Sequence, residues 1–300
     1  MSNTKAWLQA ARLRTLPLSV SGILVGCFYA FSQGLVNYAI LGFALLTTLG
    51  LQVLSNFAND YGDGVKGTDN ETRIGPKRAI QSGAITIEAM KRGILLTSAL
   101  TLVAAIILIY VSFGKDNFGY SLFFFVLGIS AIAAAIKYTV GSSAYGYRGL
   151  GDLFVFIFFG LVSVIGCYFL FAKQVDNLVI LPAITVGLLS VAVLNLNNMR
   201  DQVSDELSGK NTLVVKMGPK NAKLYHYSVI IIALTLTLAF AILSNFKPVQ
   251  YLFLIAYIPF LIHLKKVAKN TVPRDLDPEL KKVALGTFFL SVLLCIVLQF

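Results

Sequence analysis

Apolar residues run through this chain in blocks of about 16 to 23, and each block is long enough to carry an α-helix across a hydrocarbon layer of roughly 30 Å. The blocks fall at 16–32, 36–58, 93–113, 119–137, 153–172, 177–196, 225–244, 249–264 and 283–300. They predict an all-α integral membrane protein of about nine transmembrane helices around a central cavity, read as one polytopic domain over 1–300. Block 249–264, which ends beside His263, is the shortest, so eight spans with one re-entrant segment is the alternative count.

The polar breaks between blocks orient the helices. With nine spans and a cytoplasmic N-terminus, every Lys and Arg except Lys115, Lys173 and Lys247 falls at the N-terminus, in the loops 59–92, 138–152, 197–224 and 265–282, or at their margins. That is the bias expected of cytoplasmic loops. It accounts for the net charge of +11 without nucleic acid, for which the chain offers neither a basic arm nor a soluble domain. A composition that is 57% hydrophobic and 13% charged, with mean hydropathy +0.77, excludes an ordinary soluble globule. Residues 1–15 carry Lys5, Arg12 and Arg14 but no small-residue cleavage pattern, so the first span is expected to stay. Cys27, Cys167 and Cys295 sit singly inside spans and predict neither a metal cluster nor redox chemistry.

Two breaks carry carboxylates at helical spacing. NFANDYGDGVKGTDN at 56–70 places Asn56, Asn59, Asp60 and Asp63 three or four residues apart, and NNMRDQVSDELSGKNT at 197–212 does the same with Asn198, Asp201 and Asp205. On a helix each set lines one side. A carboxylate beside hydrocarbon is costly unless it is paired or metal-bound, so both sets are candidate site residues on the cytoplasmic face. Hard oxygen donors suit Mg²⁺, which keeps waters and is shared between carboxylates and substrate phosphates. The loop TRIGPKRAIQSG adds Arg73, Lys77 and Arg78 with Gly75 and Gly83, and Lys210 lies beside the second set. These cations suit a diphosphate. SGKNT lacks the full phosphate-loop pattern, so ATP hydrolysis is not expected. Between the sets, KYTVGSSAYGYRGLGD at 137–152 interleaves Lys137, Tyr138, Tyr145, Tyr147 and Arg148, groups that suit an aromatic acid and a cationic prenyl fragment. A transporter for an anionic metabolite is the alternative of another class that these residues leave open.

The chain resembles the membrane aromatic prenyltransferases of the 4-hydroxybenzoate polyprenyltransferase superfamily, and within it the dihydroxynaphthoate branch. The likeness runs from ARLRTLPLS at 11–19 to the last helices and is carried by NDYGDGVKGTD and NNMRDQVSDELSGKNTL. It implies metal and diphosphate roles for Asn56, Asp60 and Asp63 in the first motif and for Asn198, Asp201 and Asp205 in the second. Gly67 stands where the superfamily's first motif has its third aspartate, and Asp69 follows two residues later; this shifted spacing resembles the same branch. IGPKRAIQSG and GYRGLGDLFVFIFFG also resemble it. The implied reaction is Mg²⁺-dependent transfer of a polyprenyl group from a long all-trans polyprenyl diphosphate to 1,4-dihydroxy-2-naphthoate, with decarboxylation, to give demethylmenaquinol for menaquinone biosynthesis in a bacterial inner membrane. On that reading Asp60, Asp63, Asp201 and Asp205 hold the metal, while Arg73, Lys77, Arg78 and Lys210 hold diphosphate. Lys137 and Arg148 are placed as acceptor anchors, and Arg12 closes the mouth or orients the first helix. Another aromatic acceptor, such as 4-hydroxybenzoate, is the alternative within the class.

Overall fold

A computed structural model describes residues 3–69, 74, 75 and 77–300. Among these residues nine helical spans are long and apolar enough to cross a membrane, and all regular structure is helical. A short helix α1 (Asn3–Ala11) precedes α2 (Leu16–Ser32), α3 (Tyr38–Lys66), α4 (Ile87–Phe113) and α5 (Phe118–Lys137). The fifth span, Gly151–Ala172, joins α6 (Gly151–Val155) to α7 (Cys167–Ala172) through a π-helical stretch, Phe156–Gly166. The remaining spans are α8 (Ile180–Leu207), α9 (Leu213–Leu243), the eighth, which runs from a 3₁₀ stretch at Pro248–Ala256 into α10 (Tyr257–Lys269), and finally α11 (Asp277–Val297). The segment that sequence left between eight and nine spans is thus helical from Pro248 to Lys269.

The helices outrun their apolar blocks, and the overrun is where the chemistry lies. The second apolar block ends near residue 58, but α3 continues for two more turns and stops only at Gly67, whose left-handed φ of 71° lets its N–H reach back to the Asp63 and Gly64 carbonyls. Likewise α8 continues from residue 196 to Leu207. Asp60, Asp63, Asp201 and Asp205 therefore stand on helix ends, fixed in direction by backbone hydrogen bonds rather than carried on loops. Helix α9 also starts before its apolar block. Its first turn is capped by Thr212, whose hydroxyl accepts from the Val215 N–H, and the helix breaks at Gly218 ahead of Pro219.

Between lipid-facing helices there is little hydrophobic gain, so association rests on close van der Waals contact and interhelical hydrogen bonds. The Phe156–Gly166 stretch meets α8 where Gly160 faces Gly187: a Cβ on Gly160 would lie 2.6 Å from the Gly187 Cα and 2.7 Å from the Ala183 carbonyl oxygen. Elsewhere α1 lies on α3 through Ala6, Ala10 and an edge-on contact between Trp7 and Phe57, whose rings are 5.2 Å apart. Buried Asn56 locks that corner by donating to the Ala11 carbonyl at 2.9 Å, a hydrogen bond worth about 0.6–2 kcal/mol in a membrane setting.

Gly160→Val is expected to cost at least about 1–3 kcal/mol by overpacking and to lower the detergent-solubilised Tm by many degrees. A Cβ added at Gly42, inside α3, meets nothing within 4 Å, so Gly42→Ala is expected to leave Tm unchanged or raised. Thermal unfolding of both variants checks the contrast.

Candidate active site

The first motif is a carboxylate gripped from three sides. Asp60 is 1% exposed; its Oδ1 accepts from Arg12 Nη2 at 2.6 Å and from Arg78 Nη1 at 2.8 Å, and its Oδ2 accepts from the Ala79 N–H at 3.2 Å. Arg78 Nε also lies 3.7 Å from Asp69 Oδ1, so Arg78 ties Asp69 to Asp60 across the loop. One turn on, Asp63 Oδ1 accepts a hydrogen bond from the Tyr147 hydroxyl at 2.8 Å, and that hydroxyl is 2.6 Å from Thr68 Oγ1.

The second motif is held by its own cation. Arg200 places Nε and Nη2 on the two oxygens of Asp201, at 2.8 and 2.5 Å, and Nη1 on Asp277 at the start of α11 at 2.5 Å. The planar fork of guanidinium suits this two-point grip. One turn on, Lys210 Nζ lies 3.5 Å from Asp205 Oδ1.

Tyr147 and Lys210 join the two motifs. The Tyr147 ring carries Lys66 Nζ at 3.8 Å and Lys210 Nζ at 5.7 Å from its centroid, and its carbonyl accepts from the Asn211 N–H at 3.1 Å. Burial disfavours the Lys210 ammonium, but the charges of Asp63 and Asp205 outweigh it and hold its pKa above the ordinary lysine range. Lys210 therefore stands between a carboxylate of each motif. Burial, reinforced by Asp63, pushes the Tyr147 phenol up, so it is a neutral donor at physiological pH. Tyr138 is pushed up to about 12, mainly by burial.

Beneath this polar layer a cavity of about 330 Å³ extends between the helices. Gln52, Ser55, Asn59, Tyr138 and Tyr145 line it, together with an apolar wall that includes Ile23, Leu51, Phe124, Phe154, Phe158 and Leu170. Its chemistry grades from hydroxyl and amide groups to hydrocarbon.

The structure brings together Asp60, Asp63, Asp205, Arg78 and Lys210, and pairs Asp201 with Arg200. Asn56 is turned onto the Ala11 carbonyl. The Asn198 Oδ1 and Asp205 Oδ2 atoms are buried without hydrogen-bond partners, as are both polar atoms of Asn195. Lys77, Lys137 and Arg148 are exposed and stand outside the paired cluster, and Arg73 lies outside the described residues. Among the described residues no three His, Cys, Asp or Glu side chains form a ready metal cage. The donor set still fits a hard cation: buried oxygens lacking partners stand among carboxylates, and Mg²⁺ completes its shell with water and phosphate oxygens rather than with protein alone. The Arg200–Asp277 pair is a contact that sequence reading missed, because 77 residues separate its members.

Because the folded pKa of Lys210 lies above its unfolded value, its charge contributes stability below the ordinary lysine range and loses that contribution only as pH rises through the folded value. Lys210→Met is expected to cost about 3 kcal/mol at pH 8, as when one partner of a buried pair is removed. The deficit should narrow only as pH rises through the folded Lys210 value, where the wild type loses the same charge. Denaturation as a function of pH measures both.

The profile of the UbiA prenyltransferase family matches residues 19–293. The chain is 42% identical over 292 residues to a 1,4-dihydroxy-2-naphthoate octaprenyltransferase of Haemophilus influenzae, covering 96% of this chain and 94% of that one. It is 41% identical over 295 residues to the enzyme of the same name from Escherichia coli, covering 98% and 94%. A solved structure of a UbiA homolog from Archaeoglobus fulgidus, bound to GPP and Mg²⁺, shares the fold with a TM-score of 0.66 at 14% identity, covering 96% of this chain and 99% of that one. The chain, with two Asn/Asp helix ends held face to face above an apolar cavity, belongs to the UbiA prenyltransferase family.

Proposed function

We propose that this protein transfers a polyprenyl group from an all-trans polyprenyl diphosphate to 1,4-dihydroxy-2-naphthoate, releasing diphosphate and CO₂ and giving demethylmenaquinol for menaquinone biosynthesis. The observation that carries the reading is the position of Lys210 and Tyr147, which link Asp63 to the Asp205 end of the second motif over a cavity that turns from polar to apolar. The identity to dihydroxynaphthoate octaprenyltransferases over nearly the whole chain supports the choice of acceptor.

On this reading the nine helices surround the cavity as one domain, the N-terminus and both motifs face the cytoplasm, and the membrane is the bacterial inner membrane. Asp60, Asp63, Asp201 and Asp205 would hold Mg²⁺, supported by Asn56 and Asn198. Bound Mg²⁺ supplies positive charge to the diphosphate oxygens as the leaving group departs. Arg78 and Lys210, with Arg73 and Lys77 from the loop between α3 and α4, neutralise the same oxygens. Arg12 and Arg78 hold the Asp60 carboxylate in place, and Arg200 does the same for Asp201.

The allylic C1–O bond breaks with its electron pair passing to the diphosphate, and positive charge develops on the prenyl C1. The apolar wall takes the tail and keeps water from that carbon. The ring carbon bearing the carboxylate bonds to C1. The bond to the carboxylate then breaks, its electrons return to the ring, and CO₂ leaves, so no side chain is alkylated and no net proton is transferred. Placement and charge stabilisation do the chemistry. Lys137 and Arg148, both exposed and close in sequence to Tyr138 and Tyr145, steer the acceptor carboxylate toward those two rings.

Purified protein with Mg²⁺, a long all-trans polyprenyl diphosphate and 1,4-dihydroxy-2-naphthoate is expected to yield demethylmenaquinol and CO₂ by mass spectrometry, and chelation of the metal should abolish both. Product from 4-hydroxybenzoate alone would overturn the acceptor assignment. Uptake into vesicles without diphosphate release would favour an anion transporter instead. Asp60→Asn and Asp201→Asn should each lower turnover on the order of 100-fold or more at unchanged abundance. Lys115→Ala, on the opposite membrane face, should leave turnover unaltered; equal rates in all three variants would refute the site.

A further inference from the structure

A second cavity, of about 530 Å³, opens between α10 and α11 and is lined by Ile262, Lys265, Lys266, Lys269, Asp275 and Lys282, among others. It belongs to neither Asp motif. Its inner wall is buried Glu279, which lies 2.5 Å from Lys282 Nζ, 3.5 Å from Lys266 Nζ and 2.8 Å from His263 Nδ1, and His263 in turn meets His226 at 2.8 Å. Glu279 thus engages two of the four lysines. Lys265 and Lys269 are exposed and form no ion pair among the described residues. A rim carrying four ammonium groups against Asp275 and Glu279 keeps a surplus of positive charge.

The lysines also continue two apolar stripes. On α10, Ile258 (55% exposed) and Ile262 (54%) stand two turns and one turn before Lys266. On α11, Leu285 (41%) and Phe289 (43%) follow Lys282 at helical spacing. Both stripes lie on membrane-spanning segments, and Ile262 of the first stripe also lines the cationic cavity. A small anion would use only the lysines. An amphiphile with an anionic head and acyl chains matches both parts, and basic pockets between transmembrane helices are suited to phospholipid headgroups.

We propose that the α10–α11 cavity is a binding site for the headgroup of an anionic phospholipid of the surrounding leaflet, with its acyl chains along Ile258, Ile262, Leu285 and Phe289. Lys265 and Lys269 supply the charge that the phosphate takes up, while Lys266 and Lys282 hold the wall through Glu279. The site lies on the same membrane side as the two motifs, because the turn between the eighth and ninth spans alternates to that side.

Native mass spectrometry of the full-length protein in detergent tests this, with phosphatidylglycerol and phosphatidylcholine of identical acyl chains as probes. Phosphatidylglycerol is expected to bind more tightly, on the order of tenfold, and Lys265→Gln/Lys269→Gln should bring its binding down to the phosphatidylcholine level. The control Lys115→Gln/Lys247→Gln, on the other face, should keep the preference. Equal binding of the two lipids, or an unchanged preference in Lys265→Gln/Lys269→Gln, would overturn the proposal. Displacement of phosphatidylglycerol by inorganic phosphate at the same phosphate concentration would overturn it in favour of a free-anion site. Tm without lipid verifies that the double variant is folded; should it unfold, Lys269→Gln alone carries the same test at smaller amplitude.

Discussion

Buried carboxylate at the edge of a hydrocarbon layer is the constraint on which the rest of this molecule depends. Asp60, Asp63, Asp201 and Asp205 are each at most 5% exposed, and the desolvation of an ion so placed is tolerable only when opposite charge and hydrogen bonds stand against it. Their partners come from every part of the chain: Arg12 from the turn before α2, Arg78 from the loop after α3, Tyr147 from the loop before α6, Lys210 from the loop before α9 and, through Arg200, Asp277 from the start of α11. Each of these contacts therefore requires segments distant in the chain to be packed together. The bond from Asn56 to the Ala11 carbonyl serves the same end, since Asn56 lies one turn before Asp60 on α3.

The same arrangement balances the buried charges within the chain itself. Arginine and lysine occupy the carboxylates as internal counterions, and the same cations suit incoming diphosphate oxygens. Guanidinium forks at Asp60 and Asp201 set direction. Lys210 pairs with Asp205 of the second motif and also feels the charge of Asp63 of the first. A UbiA-family prenyltransferase asks little else of its protein: charge on the leaving group, a dry wall for the prenyl chain, and an aromatic acceptor held close to C1.

Much of this was legible in the residues. The number of spans and their apolar middles followed from apolar block length, and 16–32 coincides with α2. The two motifs stood out because charge interrupted hydrocarbon at helical spacing. What escaped was long-range or conformational. The apolar signal fades at residue 58 while backbone bonding carries α3 on to Lys66, and the block at 225 conceals a helix that begins at Leu213 across the Gly218–Pro219 break. Arg12 could be seen only as an orienting charge or a lid on the mouth, Arg200 as one letter of a motif, and Tyr147 as one tyrosine among several at a membrane interface. Their roles arise from partners tens of residues away. Conversely, Lys137 and Arg148, chosen for their place in a loop rich in aromatics, are exposed, because loop position fixes which face a residue lies on but not which way its side chain turns.

The central claim is that both motifs act on one diphosphate, and the most direct measurement is a double-mutant cycle on its binding. Mg²⁺-dependent affinity for a non-hydrolysable polyprenyl thiodiphosphate would be measured by calorimetry for wild type, Asp63→Asn, Asp205→Asn and the double variant. A shared site predicts an interaction energy on the order of 1 kcal/mol or more between the two substitutions. Losses that simply add would show that the two motifs bind separately, and would contradict the account.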